Sequence, residues 1–336
     1  MMKAMILEAC GPIEQRPLQF RDVPRPRPGR GQVLLKVGAC GVCRSNLHMI
    51  EGDWPGVPTK FPIIPGHEVV GRIEELGEGV DWLPVGARAG VQPLFSTCGH
   101  CQFCLSGRDQ LCQSKEITGE TIDGGFAEYM VADARHTHLV PDSLSDVAAA
   151  SLFCPGITAF GSVAKAGLTP SKTAAIFGVG GVGHVVLQMA LLHGGSVTAV
   201  ARSAAHQAVA EELGATHVID ASREDPGEVL ARTGGVDATF VFAPSNELVR
   251  QAIQATKPGG IIITGVNVDL GRFAFATEKT VVGSLLGTRQ QMREVLDLAA
   301  AGKIHVVHEQ QPLEAANETL ARLKRGEIRA RAILVP

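Results

Sequence analysis

The sequence predicts an α/β protein in two parts, a compact strand-rich part and a parallel sheet covered on both faces by helices. Three observations carry this reading. The first 150 residues are rich in Gly, Pro and short β-type runs bounded by them. From near Ser151 onward, strands and helices alternate, and the strands are apolar enough to be buried on both faces. A glycine-rich turn joins one of those strands to the helix after it.

In the first part the clearest strands are Gln32–Val37 and Glu68–Ile73. The second part reads in order as strand Ala174–Phe177, helix Val182–His193, strand Ser196–Ala201, helix Ala204–Leu213 and strand His217–Ile219. Strand Val236–Phe242, helix Leu248–Ala255 and strand Gly260–Thr264 continue the alternation. After Thr288 come a helix over Gln290–Ala301, a strand-like stretch, a helix over Leu313–Arg325 and a strand over Ala330–Leu334. A lone strand must pair somewhere, so this terminal segment is expected to return to the first part.

Composition narrows the function classes. A chain of 336 residues suits two domains of about 100–200 residues each. Net charge −3 and a pI near 6.4 argue against a nucleic-acid partner. The arginines at 21, 25, 27 and 30 are threaded with Pro24, Pro26, Pro28 and Gly29, which makes a solvated loop. Residues 174–195 lack Lys, Arg, Asp and Glu and are long enough to invite a membrane reading. Six glycines, with His184, Gln188 and His193, make a buried strand, turn and helix the better account, so no membrane partner is expected. The short apolar run Met1–Leu7 is closed by Glu8 and has no signal-peptide core or cleavage site, so a soluble, cytoplasmic protein is expected.

Of eight cysteines, Cys98, Cys101, Cys104 and Cys112 form C-x2-C-x2-C-x7-C. Two-residue gaps let successive thiolates converge on one ion, and Gly99 and Gly107 allow the tight turns. Four thiolates suit a closed, structural zinc site. An iron–sulfur cluster is the rival, but its spacing ends C-x3-C-P, whereas Gln113 follows Cys112 here. Cys43 and His67 offer two ligands for a second, open zinc site, which takes three protein ligands and a vacant position, and Cys154 is a candidate third. Taken singly, each has the alternative of an ordinary buried side chain. Cys10 and Cys40 are read as small core residues.

Gly178-Val179-Gly180-Gly181-Val182-Gly183 follows a strand and opens a helix, the setting in which G-x-G-x-x-G marks a dinucleotide site. The first glycine makes the turn, the second admits pyrophosphate, and the third lets helix pack on strand. The helix N-terminus then faces the phosphate charge. An acid closing the second strand would bond a free ribose 2′-hydroxyl, but this strand closes Ala201-Arg202-Ser203. Small Ala201 leaves room, Arg202 offers a cation and Ser203 a donor, which suits a 2′-phosphate and hence NADP(H) over NAD(H). The alternative is that Arg202 stacks on adenine in an NAD enzyme or reaches solvent.

With these motifs in this order, the chain resembles the zinc-dependent alcohol dehydrogenases of the medium-chain dehydrogenase/reductase family over essentially its whole length. The resemblance implies a GroES-like catalytic domain, residues 1–152 and 291–336 with a structural zinc lobe near 95–115, around a Rossmann domain at 153–290. It implies two zinc ions per chain. Cys43, His67 and Cys154 would bind the catalytic one with Glu68 close by, and Cys98, Cys101, Cys104 and Cys112 the structural one. It implies hydride transfer between the nicotinamide cofactor, NADP(H) on the reading of Ala201-Arg202-Ser203, and a primary or secondary alcohol and its aldehyde or ketone. The alcohol proton would leave through Ser45, the cofactor ribose and His48. Arg44 and Arg331 would reach the cofactor, alongside Gly178, Gly180, Gly181, Val182, Gly183, Ala201, Arg202 and Ser203. A homodimer or homotetramer is implied as well.

One departure stands out. The family commonly shows Cys-His-Thr-Asp-Leu-His where this chain has Cys43-Arg44-Ser45-Asn46-Leu47-His48. Serine keeps the hydroxyl, but Asn46 replaces a carboxylate that orients the histidine ligand, and an amide is a weaker acceptor. Trp54, Leu94, Phe95 and Leu285 hint at an apolar pocket, though Trp54 also suits a core or an interface. Two rival functions are weighed. A zinc-independent quinone or enone reductase of the same superfamily lacks the ligands Cys43, His67 and Cys154. A non-catalytic nucleotide-binding redox sensor needs no proton path such as Ser45 and His48.

Overall fold

The computed structural model describes all 336 residues. The chain divides into two compact units. One comprises Met1–Cys154, Thr288–Ala301 and His308–Pro336; the other comprises Pro155–Gly287 and Gly302–Val307.

The first unit opens with β1 (Met2–Leu7) and β2 (Leu18–Val23), an antiparallel ribbon, followed by β3 (Gln32–Gly41) and helix α1 (Arg44–Glu51). Next come β4 (Glu68–Leu76), β5 (Arg88–Val91) and β6 (Leu94–Ser96), then the short α2 (Gln102–Leu105) and β7 (Glu116–Ile117). Strands β8 (Tyr129–Asp133) and β9 (Thr137–Leu139) and helix α3 (Asp146–Ala150) lead to a π-helical turn over Leu152–Gly156. The second unit runs α4 (Ile157–Ala166), β10 (Thr173–Phe177), α5 (Gly183–Leu191), β11 (Ser196–Ala201), α6 (Ala204–Glu212) and β12 (His217–Asp220). It continues with α7 (Pro226–Arg232), β13 (Val236–Val241), α8 (Asn246–Ala255), β14 (Thr256–Thr264) and β15 (Thr280–Gly283). The chain then adds α9 (Arg289–Ala300), β16 (His308–Pro312), α10 (Ala316–Arg325) and β17 (Arg331–Val335) to the first unit.

In the second unit six strands pair in the order β12-β11-β10-β13-β14-β15, all parallel. The order reverses beside β10, and the glycine turn leaves from that strand, the switch point at which doubly wound sheets bind ligands. Phe177, Val200, Val241 and Ile262 are buried in its core. In the first unit β17 lies between β16 and β3, and β4, β5 and β9 follow outward from β3. Leu35, Val69, Ile73 and Phe126 belong to a core cluster of this unit.

The α/β class, the parallel sheet and the return of the terminal strand all appear as expected, with Ile333 opposite Gly41. Residues 174–195 form β10, the turn and α5, and α5 is buried along nearly its whole length. One other run, Asp146–Ala166, has the length and apolarity to cross a membrane, and 72% of its apolar 18-residue window is buried. Two differences have physical causes. Strand β14 begins at Thr256, not Gly260, because Lys257-Pro258-Gly259 is absorbed as an irregularity in which the register jumps from Val236↔Thr256 to Ala238↔Ile261. Cys10, expected in the core, is exposed, because β1 ends at Leu7 and Cys10 falls in the loop beyond it.

Candidate active site

Antiparallel pairing of β3 with β4 sets Gly41 opposite Glu68. The segment leaving β3 and the residue opening β4 therefore meet at one end of the sheet. Cys43 sits at the start of α1, and its backbone N–H donates to Asn46 Oδ1 at 2.9 Å. His67 precedes β4, and Cys154 lies in the π-helical turn. Donor atoms of Cys43, His67, Glu68 and Cys154 all lie within 4.8 Å of one another, and all four residues are buried. Cys43 and Cys154 sulfurs are 3.8 Å apart.

The charges here are strongly coupled. The Cys154 thiol hydrogen-bonds Cys43, and this contact, helped by the charges of Arg331 and His67, holds Cys43 well below the usual thiol range despite burial. The same contact, with burial, pushes Cys154 well up. Burial alone would depress His67, but Cys43 together with Glu68 and Glu120 lifts it above its ordinary value. Burial raises Glu68 against the opposing pull of Arg331, which donates to Glu68 Oε1. Arg331 is buried in contact with Glu68. His67 Nε2 and Glu68 Oε2 are buried without any hydrogen-bond partner. Two sulfurs, an imidazole nitrogen and a carboxylate oxygen, shielded from water and incompletely paired, are the donor chemistry that zinc takes.

The hydroxyl of Ser45 lies 3.6 Å from Cys43 Sγ. One helical turn on, His48 is partly exposed and its Nδ1 is 2.7 Å from Asp53 Oδ2. That contact fixes the ring, and Trp54 flanks it with centroids 5.5 Å apart. Trp54 is half-buried, Leu94 and Phe95 are buried, and Leu285 is exposed. Arg44, the first residue of α1, is exposed.

Cys98, Cys101, Cys104 and Cys112 form the second cluster, their sulfurs within 4.8 Å of one another. Backbone N–H groups of His100 and Cys101 point at Cys98 and lower its thiol to about 6. No substrate-sized opening is needed for four convergent sulfurs, and they too are apt for zinc.

In the second unit Gly178 has φ +99° and makes the turn. A side chain at Gly180 would meet nothing within 4 Å, whereas one at Gly183 would lie 1.8 Å from the Gly178 carbonyl oxygen. Gly181 and Val182 are half-buried in the same turn. At the end of β11, Ala201 is buried and Arg202 exposed, while the Ser203 hydroxyl accepts from His206 N–H and caps α6. The opposing acid is Asp220, in register with Ala201 on β12 and paired with Arg223.

Besides that of Arg331 with Glu68, two contacts around the site escaped the sequence reading. Asp53 on His48 was legible only as the neighbour of a tryptophan. Glu120, whose carboxylate oxygen is 4.0 Å from His67 Nδ1, sits in a Thr-Gly-Glu-Thr turn that matches no motif.

A dinucleotide-type sheet in one unit and two metal-donor clusters in the other define the class of the zinc-binding dehydrogenases. Residues 29–142 match the alcohol dehydrogenase GroES-like domain, and residues 181–301 match the zinc-binding dehydrogenase domain. An alcohol dehydrogenase of Geobacillus stearothermophilus is 39% identical, with 99% of both chains covered. The crystal structure of the alcohol dehydrogenase from Aeropyrum pernix superposes with TM-score 0.92 at 35% identity, over 99% of this chain and 100% of that one. A thermostable alcohol dehydrogenase from Pyrobaculum aerophilum, solved with cobalt and zinc bound, gives 0.90 at 27% identity over 100% and 99%. The chain belongs to the zinc-binding alcohol dehydrogenases of the medium-chain dehydrogenase/reductase family.

Proposed function

We propose that the chain is a zinc-dependent oxidoreductase that moves a hydride between NADP(H) and a primary or secondary alcohol and its aldehyde or ketone. The observation that carries this reading is a hydroxyl, Ser45, beside a buried and incompletely paired Cys43–His67–Cys154 donor set. Those three residues would hold the catalytic zinc with Glu68 at its side, and the four-cysteine cluster a structural one. When bound, the metal supplies Lewis acidity toward the substrate oxygen, and the nicotinamide accepts or returns the hydride.

The chain's own residues do the rest. Ser45 Oγ receives the alcohol proton, and His48 hands it to solvent. Its Nδ1, held on the Asp53 carboxylate, leaves Nε2 free to take the proton. Arg331 balances the Glu68 carboxylate, which would otherwise be an uncompensated buried charge. Gly178 to Gly183 would cradle the pyrophosphate at the start of α5. Exposed Arg202 would supply the cation for the ribose 2′-phosphate beside small Ala201. We further read the enzyme as a cytoplasmic homodimer or homotetramer, on the family resemblance. Zinc analysis of the purified protein, combined with NADPH oxidation by simple aldehydes, tests the reading. Two zinc ions per chain with turnover is the expected result. One zinc ion, with turnover confined to quinones or enones, would overturn it.

A further inference from the structure

We infer that Glu120 is the positioning carboxylate of His67, supplying from the turn after β7 the acceptor that Asn46 does not provide. The inference rests on the reading of Cys43, His67 and Cys154 as a zinc site. A histidine that ligates through one ring nitrogen needs the N–H of the other held by an acceptor, which fixes both tautomer and ring orientation. Here Nε2 is the nitrogen without a partner, so Nδ1 is the one to be held.

Two side chains face Nδ1. Asn46 Nδ2 is 3.4 Å away and Glu120 Oε1 is 4.0 Å away. Asn46 is unsuited to the task because its one carbonyl oxygen is already committed to the Cys43 N–H, at 2.9 Å. Turning the amide over to offer that oxygen to His67 would set Nδ2 against the Cys43 N–H, donor against donor. In the orientation present, the amide N–H₂ faces Nδ1 and can only donate. That arrangement favours a lone pair on Nδ1 and the ring proton on Nε2, the wrong tautomer for ligation through Nε2. An aspartate at position 46 could accept from both groups, but an asparagine has to choose.

Glu120 has what Asn46 lacks. An ionised carboxylate is acceptor-only. Its side chain is 14% exposed, and it pairs with His67 and with no Lys or Arg. A buried carboxylate without a Lys or Arg is costly unless a neighbouring group uses its charge. Its backbone is held at both ends, with Glu120 N–H donating to Ile117 O and Glu120 O accepting from Thr59 N–H, each at 3.2 Å. The turn also presses on the residue before the histidine, because a side chain at Gly119 would lie 2.7 Å from Gly66 N. Only the side chain needs to move, by about 1 Å, to bring 4.0 Å to hydrogen-bond length.

The test is stepwise zinc release to a chromophoric chelator, together with the visible spectrum of the cobalt-substituted site. Glu120→Ala should weaken one zinc ion by roughly 10–100-fold and shift that spectrum, leaving the four-cysteine zinc unchanged. Glu120→Gln, which keeps the shape and one acceptor, should lie between. Adding Asn46→Asp to Glu120→Ala should recover most of the lost affinity, because aspartate serves Cys43 and His67 together. A packing role for Glu120 would not be rescued in this way. Unchanged release in Glu120→Ala, or a double variant no better than the single one, overturns the inference. A wild-type protein with zinc on the four cysteines only would instead overturn the zinc-site reading beneath it.

Discussion

One methyl group, added at either of two glycines three residues apart, should separate folding from cofactor binding. A methyl at Gly183 would lie 1.8 Å from the Gly178 carbonyl oxygen, against an ordinary carbon–oxygen contact of about 3.3 Å. Relief requires α5 to move off the turn, and overpacking of this kind costs about 1–3 kcal/mol. At about 2–4 °C per kcal/mol for a domain of this size, Gly183→Ala should lower the melting temperature by roughly 2–12 °C. At Gly180 the same methyl meets nothing within 4 Å, and φ there is not in the left-handed region. Gly180→Ala should therefore change stability by no more than about 0.5 kcal/mol. It would, however, stand where the second glycine lets the backbone approach pyrophosphate. Losing one hydrogen bond to a charged group costs about 1.5–3 kcal/mol, or roughly 10- to 150-fold in affinity. Thermal melting gives the first quantity, and titration of NADPH fluorescence on the metal-loaded protein gives the second. If Gly180→Ala melts early and binds normally, or Gly183→Ala melts like the parent, the assignment of the two glycines is wrong.

Four further predictions follow from the sites. Cys101→Ser should release one zinc ion and destabilise the protein, whereas Cys43→Ser should leave the melting temperature nearly unchanged and abolish turnover; metal analysis and melting of both variants decide between this and the reverse assignment. Ser45→Ala should slow hydride-limited turnover by roughly 10²–10⁴-fold with little change in cofactor affinity, and unchanged turnover would remove Ser45 from the proton path. Arg202→Ala should weaken NADPH by roughly 10–100-fold and leave NADH alone, while Ala201→Asp should shift preference toward NADH; a parent enzyme that uses NADH as efficiently as NADPH refutes the NADP assignment. His136 and His138, pushed down to about 4 chiefly by burial, stay neutral while the unfolded chain takes up protons below about 6.5. Stability they support above that pH is therefore lost as pH falls toward 4, by at most about 1.4 kcal/mol per unit for each group. Urea midpoints between pH 7 and 4 should show this slope, and His138→Gln should flatten it.

What the sequence made legible follows the distance over which each feature is encoded. The glycine turn and the four-cysteine cluster are written within six and fifteen consecutive residues, so strand, turn and ligand spacing can be read without tertiary knowledge. Cys43 and Cys154 are 111 positions apart, and the residues alone left that trio open until a family resemblance assembled it. Contacts with no motif stayed hidden: Asp53 on His48, Glu120 facing His67, and Arg331 turned in on Glu68. Each depends on where two strands or a turn happen to end, which pattern and propensity do not specify. Strands β1 and β2 were missed as well; β2 buries only Leu18 of its six residues and so offers little apolar pattern. The misreading of Cys10 has a related cause, since residue type favours burial but the end of β1 puts it outside.

The pairing of β17 with β3 sets a clock on biosynthesis. Glu68 leaves the ribosome 263 residues before its partner Arg331, and at about 5–20 residues per second that interval is roughly 13–50 s. The parallel sheet between them is continuous in sequence from β10 to β15 and can form during that wait. The older half of the molecule, by contrast, must wait with the Cys40–Gly41 end of β3 unpaired beyond the stretch that β8 covers, and with a carboxylate still lacking its countercharge. Truncation within β17 would leave the chain in that form, with the buried Glu68 carboxylate deprived of Arg331.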